Sequence, residues 1–232
     1  MDYIKLPPSF YLQDTLTVAR QLLGKYLVHE TPRGKLVCQI TETEAYCGPS
    51  DKACHSYQRR SPDGRTNIMY KDGGLSYVYL IYGMYHCFNV VTCPAGQPEA
   101  VLIRSAKAIE GIELMQELRK SRKGTVPKEK DLLTGPGKLC IAMDISREQY
   151  GESLWGNTLY LAYGVDVEDS SVKCGPRINV DYAEEDALLP YRFCDVKTGH
   201  LSAKIITPRK TWGLTNGPIR AKYQPHLKVH KK

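Results

Sequence analysis

The stretch GKLVCQITETEAYCGP, residues 34–49, predicts a β-strand that begins with apolar residues and ends in two carboxylates. Side chains in a strand alternate between its two faces, so Leu36, Cys38, Ile40, Glu42 and Glu44 share one side. The Cα atoms of the two glutamates would lie about 6.6 Å apart, given a rise of about 3.3 Å per residue. One face of this strand therefore starts as a core face and ends in acids.

Spacing alone leaves two interpretations of these acids open. In the first, the strand has emerged from the core and both carboxylates lie in solvent. In the second, the strand ends at the floor of a site, where paired carboxylates could serve as the acid and base of an O-glycoside hydrolase. Tyr46 continues the alternation and Gly48–Pro49 ends the strand at once, which favours a site.

The rest of the sequence predicts helices and strands in one domain, without internal repeats. Asp14 is a candidate N-cap for a helix that runs through Leu23 and stops at Gly24. The segments with strand-like composition are residues 25–30, 34–44, 75–92 with a break at Gly83, and 100–106; those with helical spacing are 108–120 and 135–145; strands and loops fill 157–196. Residues 47–74 form a long loop, which inside a compact domain is usually functional.

Composition excludes several classes of protein. Hydrophobic residues make up 42% of the chain and charged residues 25%, as in ordinary soluble domains. No apolar run is long enough to cross a bilayer, and the N-terminus lacks a secretory pattern. The eight cysteines include no CxxC pair, which argues against closed zinc sites and disulfide frameworks and predicts reduced thiols in an intracellular protein.

The positive charge is concentrated near the C-terminus. The net charge is +7, and residues 209–232 carry seven Lys or Arg and no acid, so residues 1–208 are formally neutral. Residues 119–130 form a second basic cluster. This distribution of positive charge permits nucleic acid as a partner without requiring it. A basic tail is more often a solvated chain end than a segment that recognises nucleic acid specifically.

A tyrosine-rich stretch, YVYLIYGMY at residues 77–85, raises a second possibility of function. Tyr77 and Tyr79 share a strand face, whereas Tyr82 has the opposite parity and precedes Gly83, which can turn the chain. One interpretation is a sheet whose aromatic rings pack against their neighbours. The other is a pocket aromatic beside an exposed one at a bend, which suits base stacking and insertion into a duplex.

Four motifs together resemble the alkyladenine DNA glycosylase family, also called 3-methyladenine DNA glycosylases. They are ETEAYCGPSDKACH (42–55), YVYLIYGMYHCFN (77–89), AVLIRSA (100–106) and TGPGKLCIAMDI (134–145), in the family's order, and the resemblance covers roughly 14–194. It implies an α+β catalytic domain built on a curved antiparallel sheet surrounded by helices. We assign this domain to residues 1–208, because the charge distribution sets the basic tail 209–232 apart.

The resemblance also implies the activity. A monomeric enzyme of this family hydrolyses the bond between deoxyribose and a damaged purine in double-stranded DNA, without metal, organic cofactor or membrane. We therefore expect an intracellular protein, cytoplasmic and associated with the nucleoid if the source is bacterial. The rival hypothesis is a damage-binding module that flips bases without turnover.

The family pattern assigns roles to residues of this sequence. Glu44 aligns with the general base that activates water, and Arg104 and the main-chain carbonyl of Ile178 align with groups that hold this water. We expect Glu42 to stabilise the site without contacting the substrate itself.

The remaining aligned residues concern the base and the duplex. Tyr46, His55 and Tyr79 align with side chains that sandwich and hydrogen-bond the flipped base. Asn89 aligns with a residue that crowds the amine of guanine, and Tyr82 with the wedge that fills the gap in the duplex. After YRFC (191–194) the resemblance becomes loose, and residues 205–232 do not match.

Overall fold

The computed structural model describes residues 2–60, 62–120 and 124–205, which form eight β-strands and four α-helices. The strands are β1 (Tyr26–Thr31), β2 (Gly34–Tyr46), β3 (Ser76–Ile81), β4 (Tyr85–Thr92), β5 (Glu99–Glu110), β6 (Leu159–Ala162), β7 (Val172–Gly175) and β8 (Arg192–Asp195). The helices are α1 (Pro8–Tyr11), α2 (Thr15–Gln21), α3 (Ile112–Arg119) and α4 (Pro136–Ala142). The expected boundary between residues 208 and 209, and the basic tail itself, lie outside the described residues.

The strands form one antiparallel sheet with β2 at its centre. The order is β3-β4-β5-β2-β1-β6, and β8 pairs with both β2 and β7. The first half of β2 pairs with β1 and residues 42–44 pair with β8, while β5 runs along the opposite edge. The register of β2 against β5 shifts around residues 40–43, and such bulges bend a strand. The expected α+β class with a curved antiparallel sheet is confirmed.

Helix α2 begins where the sequence predicts and ends slightly earlier. The Asp14 side chain caps it by accepting a hydrogen bond from the Thr17 N–H at 3.0 Å. Gly24 then adopts a φ of +81°, and a Cβ there would lie 2.1 Å from the carbonyl oxygen of Val165. The helix is tied to the sheet because the Thr43 hydroxyl donates to the Ala19 carbonyl at 2.8 Å.

The segment after residue 99 differs from the prediction. Strand β5 continues to Glu110, and Ile109, whose spacing fits a helix, lies in the strand instead. The strand is longer because its pairing with β2 persists as far as Val37 opposite Glu110. Gly111, with a φ of +80°, then separates the strand from α3.

The predicted break at Gly83 is a tight hairpin between β3 and β4. Tyr82 and Gly83 have φ values of +54° and +68°, and the Met84 N–H donates to the Ile81 carbonyl at 3.2 Å. Positive φ at both central positions is typical of a type I′ turn, which matches the twist of the paired strands. Within the predicted long loop, residues 47–74, the described residues include three short 3₁₀ helices at Gly48–Ser50, Tyr57–Arg59 and Asn67–Tyr70.

Candidate active site

A cavity of about 510 Å³ lies where β2 ends, against β3, β4 and β5 and the loops that follow residues 46 and 177. All the predicted site residues except Glu44 line it. Its walls include Tyr46, His55, Tyr77, Tyr79, Tyr82, Cys87, Asn89, Leu102, Arg104, Gly137, Ile178 and Tyr182. The volume is in the range of cavities that bind small ligands.

Glu44 lies directly behind three residues of the cavity wall. One of its carboxylate oxygens accepts the Ile178 backbone N–H at 2.7 Å, and the other accepts the Tyr46 hydroxyl at 2.9 Å and an Arg104 Nη at 3.2 Å. The side chain is fully buried. The three donors hold the carboxylate in one orientation next to the cavity. Ile178 contacts it through its N–H; the role expected for its carbonyl stays a prediction.

Glu42 is buried on the same side of β2 but outside the cavity lining. Its carboxylate accepts hydrogen bonds from Arg104 Nε at 3.2 Å, Arg192 Nε at 2.7 Å, and the hydroxyl and N–H of Ser202 at 2.7 and 2.6 Å. Two buried carboxylates are thus balanced by two buried guanidinium groups, as burial of charge requires. The interpretation that both acids lie in solvent is wrong.

Another part of the cavity wall is a cluster of aromatic rings. The His55 and Tyr79 rings lie 4.7 Å apart, the Tyr77 and Tyr79 rings 5.3 Å apart, and His55 Nδ1 lies 2.8 Å from the Tyr77 hydroxyl. Burial and the charge of Arg65 lower the pKa of His55 to about 4, so its imidazole is neutral at pH 7. Burial raises the pKa values of Tyr46 and Tyr79 well above their ordinary value, so both phenols keep their protons.

Asn89 and Tyr82 occupy contrasting positions at this cavity. The Asn89 amide is buried and donates to the carbonyls of Tyr77 at 3.0 Å and Cys87 at 3.4 Å, which fixes its orientation. Tyr82, at the hairpin turn, is 71% exposed, and the neighbouring Met84 is 66% exposed. The exposure expected for Tyr82 is therefore present, whereas the roles of both residues remain predictions.

Comparison with known proteins identifies the family. A family model described as methylpurine-DNA glycosylase (MPG) matches residues 9–198. This chain belongs to the methylpurine-DNA glycosylase family. Relatives from Bacillus thuringiensis (strain Al Hakam) and Bacillus cereus (strain Q1) are 48% identical over 195 residues, and one from Bacillus mycoides (strain KBAB4) is 49% identical over 196. Each alignment covers 82% of this chain and 95% of the relative, and each relative bears the name "Putative 3-methyladenine DNA glycosylase". The resemblance found in the sequence is confirmed.

The methylpurine-DNA glycosylase match ends at residue 198, yet residues just beyond it complete the network around Glu42. Besides Ser202, the carbonyl of His200 accepts the hydroxyls of Thr41 at 2.6 Å and Ser105 at 3.0 Å. The segment whose resemblance to the family was loose therefore packs directly behind the site. Ser202 is not among the residues predicted from the sequence; its polar character near the end of the match is the one signal that could have indicated it.

Arg177 is a second residue at the site that was not predicted from the sequence. Its buried guanidinium makes a two-pronged ion pair with Asp51, with one contact of 2.8 Å, and lies 4.9 Å from the Tyr46 ring. Asp51 also accepts the backbone N–H groups of Cys47 and Ala53 at 2.9 and 3.0 Å. This pair therefore joins the end of β2, the loop that carries His55, and the segment that begins with Ile178.

The structure also bears on metals and membranes. In the described ranges, no three His, Cys, Asp or Glu side chains are grouped so that they could hold a metal ion. Across the same ranges, no helix combines the length and apolar character needed to cross a bilayer.

Proposed function

We propose that this chain is a base-excision-repair DNA glycosylase that hydrolyses the N-glycosidic bond of alkylated or deaminated purines flipped out of duplex DNA. The observation that carries the proposal is the buried Glu44 carboxylate, oriented by Tyr46, Arg104 and the Ile178 N–H at the wall of a cavity large enough to hold a purine. Membership of the methylpurine-DNA glycosylase family supports it.

In the proposed reaction, the bond between the purine nitrogen and C1′ of deoxyribose breaks, and its electron pair leaves with the base. A water oxygen bonds to C1′, and Glu44 accepts the proton that the water loses. The carboxylate also stabilises the positive charge that develops on the sugar. Arg104 and the Ile178 carbonyl hold the water. The products are a free base and an intact abasic site.

The cavity walls are suited to a flipped purine. Purines alkylated at N3 or N7 are cationic, and the electron-rich faces of Tyr46 and Tyr79 attract a cation by about 0.5–2 kcal/mol. Such bases are also good leaving groups, which removes the need for a strong general acid. His55 is neutral, because its pKa is about 4, and therefore hydrogen-bonds the base without repelling a cationic one. Asn89 crowds the 2-amino group of guanine.

Tyr82 is proposed to occupy the gap that the flipped base leaves. Its ring stands exposed at the tip of the β3–β4 hairpin, supported by a turn rather than by core packing. Stacking on a base is worth about 1–3 kcal/mol, and extruding a base costs a few kcal/mol. The wedge would therefore offset much of the cost of flipping.

The competing functions differ in what they require of the two glutamates. An O-glycoside hydrolase needs two carboxylates at the cavity wall. Glu44 accepts hydrogen bonds from three residues that line the cavity. Glu42 shares only Arg104 with that lining, and its other partners are Arg192 and Ser202. A binding module without turnover has no need of Glu44 beside Arg104 at the cavity wall.

The deciding experiment is release of free 3-methyladenine from alkylated duplex DNA under single-turnover conditions. The wild-type protein should release it, and Glu44→Gln should bind the same DNA without release, because an amide cannot accept the proton of water. Binding without release by the wild type would favour the non-catalytic module. Release by Glu44→Gln within a few-fold of the wild-type rate would remove Glu44 as the base.

A further inference from the structure

Ser202 lies in the segment that follows β8, residues 199–204, and its side chain reaches the buried charges behind the proposed active site. Its hydroxyl donates to a Glu42 carboxylate oxygen at 2.7 Å and accepts the Arg104 Nε–H at 3.3 Å. We propose that Ser202 is a positioning residue, which holds the Arg104 guanidinium in the orientation that binds the nucleophilic water. The proposal rests on the proposed function and deepens it.

The Arg104 guanidinium is held through two of its nitrogens. Its Nε donates to Glu42 at 3.2 Å and to the Ser202 hydroxyl at 3.3 Å, and one Nη donates to Glu44 at 3.2 Å. A guanidinium carries its N–H donors in a rigid plane, so these contacts also fix where its remaining donors point. Because Arg104 lines the cavity, the remaining donors are the groups that can bind water there.

The Ser202 hydroxyl influences Arg104 through the oxygen that both contact. This Glu42 oxygen accepts three hydrogen bonds, from Arg104, from Arg192 Nε at 2.7 Å and from the Ser202 hydroxyl. Loss of the hydroxyl leaves the buried carboxylate one donor short. Of the two guanidinium contacts, the one to Arg104 is longer and can therefore tighten. Since Glu44 binds a different nitrogen of Arg104, a shift toward Glu42 lengthens the contact with Glu44.

The backbone around Ser202 is fixed independently of the Ser202 hydroxyl. The Ser202 N–H donates to the second oxygen of Glu42 at 2.6 Å, and the Ala203 carbonyl accepts an Arg192 Nη at 2.7 Å. The His200 carbonyl accepts one hydroxyl from β2 at 2.6 Å and one from β5 at 3.0 Å. Replacing the Ser202 side chain therefore removes one hydroxyl and leaves the backbone contacts of the segment in place.

The competing interpretation is that Ser202 only satisfies the charge of Glu42 and stabilises the fold. In that case a folded Ser202→Ala variant would excise bases at the wild-type rate. The positioning role predicts a slower reaction with unchanged binding. The Arg104 contact of 3.2 Å can shorten by about 0.5 Å before it reaches the usual minimum of about 2.7 Å. A misplacement of about 1 Å can slow a reaction about 100-fold, so we expect a decrease of about tenfold.

The test compares two substitutions at Ser202 with a matched control. Ser202→Ala removes the hydroxyl, and Ser202→Thr retains it. The control is Thr41→Val, which removes the β2 hydroxyl that binds the same segment; within the described residues, that hydroxyl donates to the His200 carbonyl and not to Arg104. Three quantities are measured: Tm, the dissociation constant for duplex DNA with a tetrahydrofuran abasic analogue, and the single-turnover rate of 3-methyladenine release from alkylated duplex DNA below each Tm.

Ser202→Ala should release 3-methyladenine about tenfold more slowly than the wild type, with an unchanged dissociation constant. Ser202→Thr should restore the rate to within a few-fold of the wild type. Thr41→Val should keep the wild-type rate even if its Tm falls as far as that of Ser202→Ala. In an Arg104→Lys background, Ser202→Ala should cause no further slowing, because the two residues act as one unit. If Ser202→Ala or Arg104→Lys does not fold, Ser202→Cys, which has only a weak S–H donor, is compared with Ser202→Thr and Thr41→Val.

A wild-type rate in folded Ser202→Ala would overturn the positioning role. Equal slowing by Ser202→Ala and Thr41→Val would overturn it too, as would the same factor of slowing with and without Arg104→Lys. None of these results touches the proposed function, because the wild type still releases free base in each. A wild type that releases no base would instead contradict the proposed catalysis, and the positioning role with it.

Discussion

Glu42→Gln should strongly lower the free energy of unfolding while leaving measurable base excision. Glu44→Gln should abolish excision with a smaller loss of stability. Glu42 accepts four hydrogen bonds, from Arg104, Arg192 and two groups of Ser202. Glutamine keeps the volume but replaces one acceptor oxygen by an NH2 group, which would face donors. It also leaves two buried guanidinium groups with Glu44 as the one remaining carboxylate of the cluster.

The magnitude follows from this loss of charge balance. Removing one partner of a buried ion pair costs about 3–5 kcal/mol, because the other charge is left uncompensated. For a protein of 150–250 residues, each kcal/mol lowers Tm by about 2–4 °C, so Glu42→Gln should lower it by about 6–20 °C. Glu44 has two neutral donors and one shared guanidinium, and its replacement should cost nearer the 1–3 kcal/mol of an unsatisfied buried group.

The assay pairs denaturant unfolding with single-turnover excision of 3-methyladenine, measured below the Tm of each variant. Glu42→Gln should unfold at a lower denaturant midpoint with an unchanged slope, and should retain measurable excision; Glu44→Gln should be the more stable variant and inactive. If Glu42→Gln were as stable as the wild type, the charge-balance argument would be refuted. If Glu42→Gln were folded and as inactive as Glu44→Gln, the result would support a mechanism that uses both carboxylates.

Three further predictions concern the base and the duplex. Asn89→Ser should raise activity on guanine-type bases relative to hypoxanthine, and an unchanged ratio would contradict steric exclusion. Tyr82→Ala should slow excision most for well-paired lesions and leave Tm nearly unchanged, since an exposed ring packs little; a large fall in Tm would remove the wedge assignment. The pKa of His55 falls from 6.5 to about 4 on folding, so stability should be lost as pH drops through this window. His55→Gln should lose less stability there, and unfolding curves at several pH values measure the difference.

The sequence predicted what depends on local pattern. Alternation placed Glu42 and Glu44 on one side of β2, and Gly83 marked the hairpin that exposes Tyr82. Local pattern gave a wrong prediction where strand pairing decides the secondary structure. The spacing around Ile109 fits a helix, but the residue lies in β5 because the pairing of β5 with β2 continues as far as Glu110.

Pattern also could not predict the partners of the buried charges. Glu42 meets Arg192 and Ser202 across 150 and 160 residues of chain, and such contacts leave no periodicity in the sequence. A cationic partner could still have been expected, because a carboxylate on the core face of a strand needs one. Arg192, which directly precedes the apolar residues Phe193 and Cys194, was a candidate for that partner.

Arg177 also contributes to the site, although it is absent from the cavity lining. A buried guanidinium can be retained only where its charge is compensated, and Asp51 supplies that compensation while also accepting two backbone N–H groups of its own loop. Since Arg177 immediately precedes Ile178, whatever fixes the guanidinium also fixes the N–H that orients Glu44. Because the guanidinium contacts the Tyr46 ring, the stacking wall and the carboxylate are placed by one ion pair. The ion pair between Arg177 and Asp51 thus positions Tyr46 and Glu44, the residues proposed to bind the base and activate water.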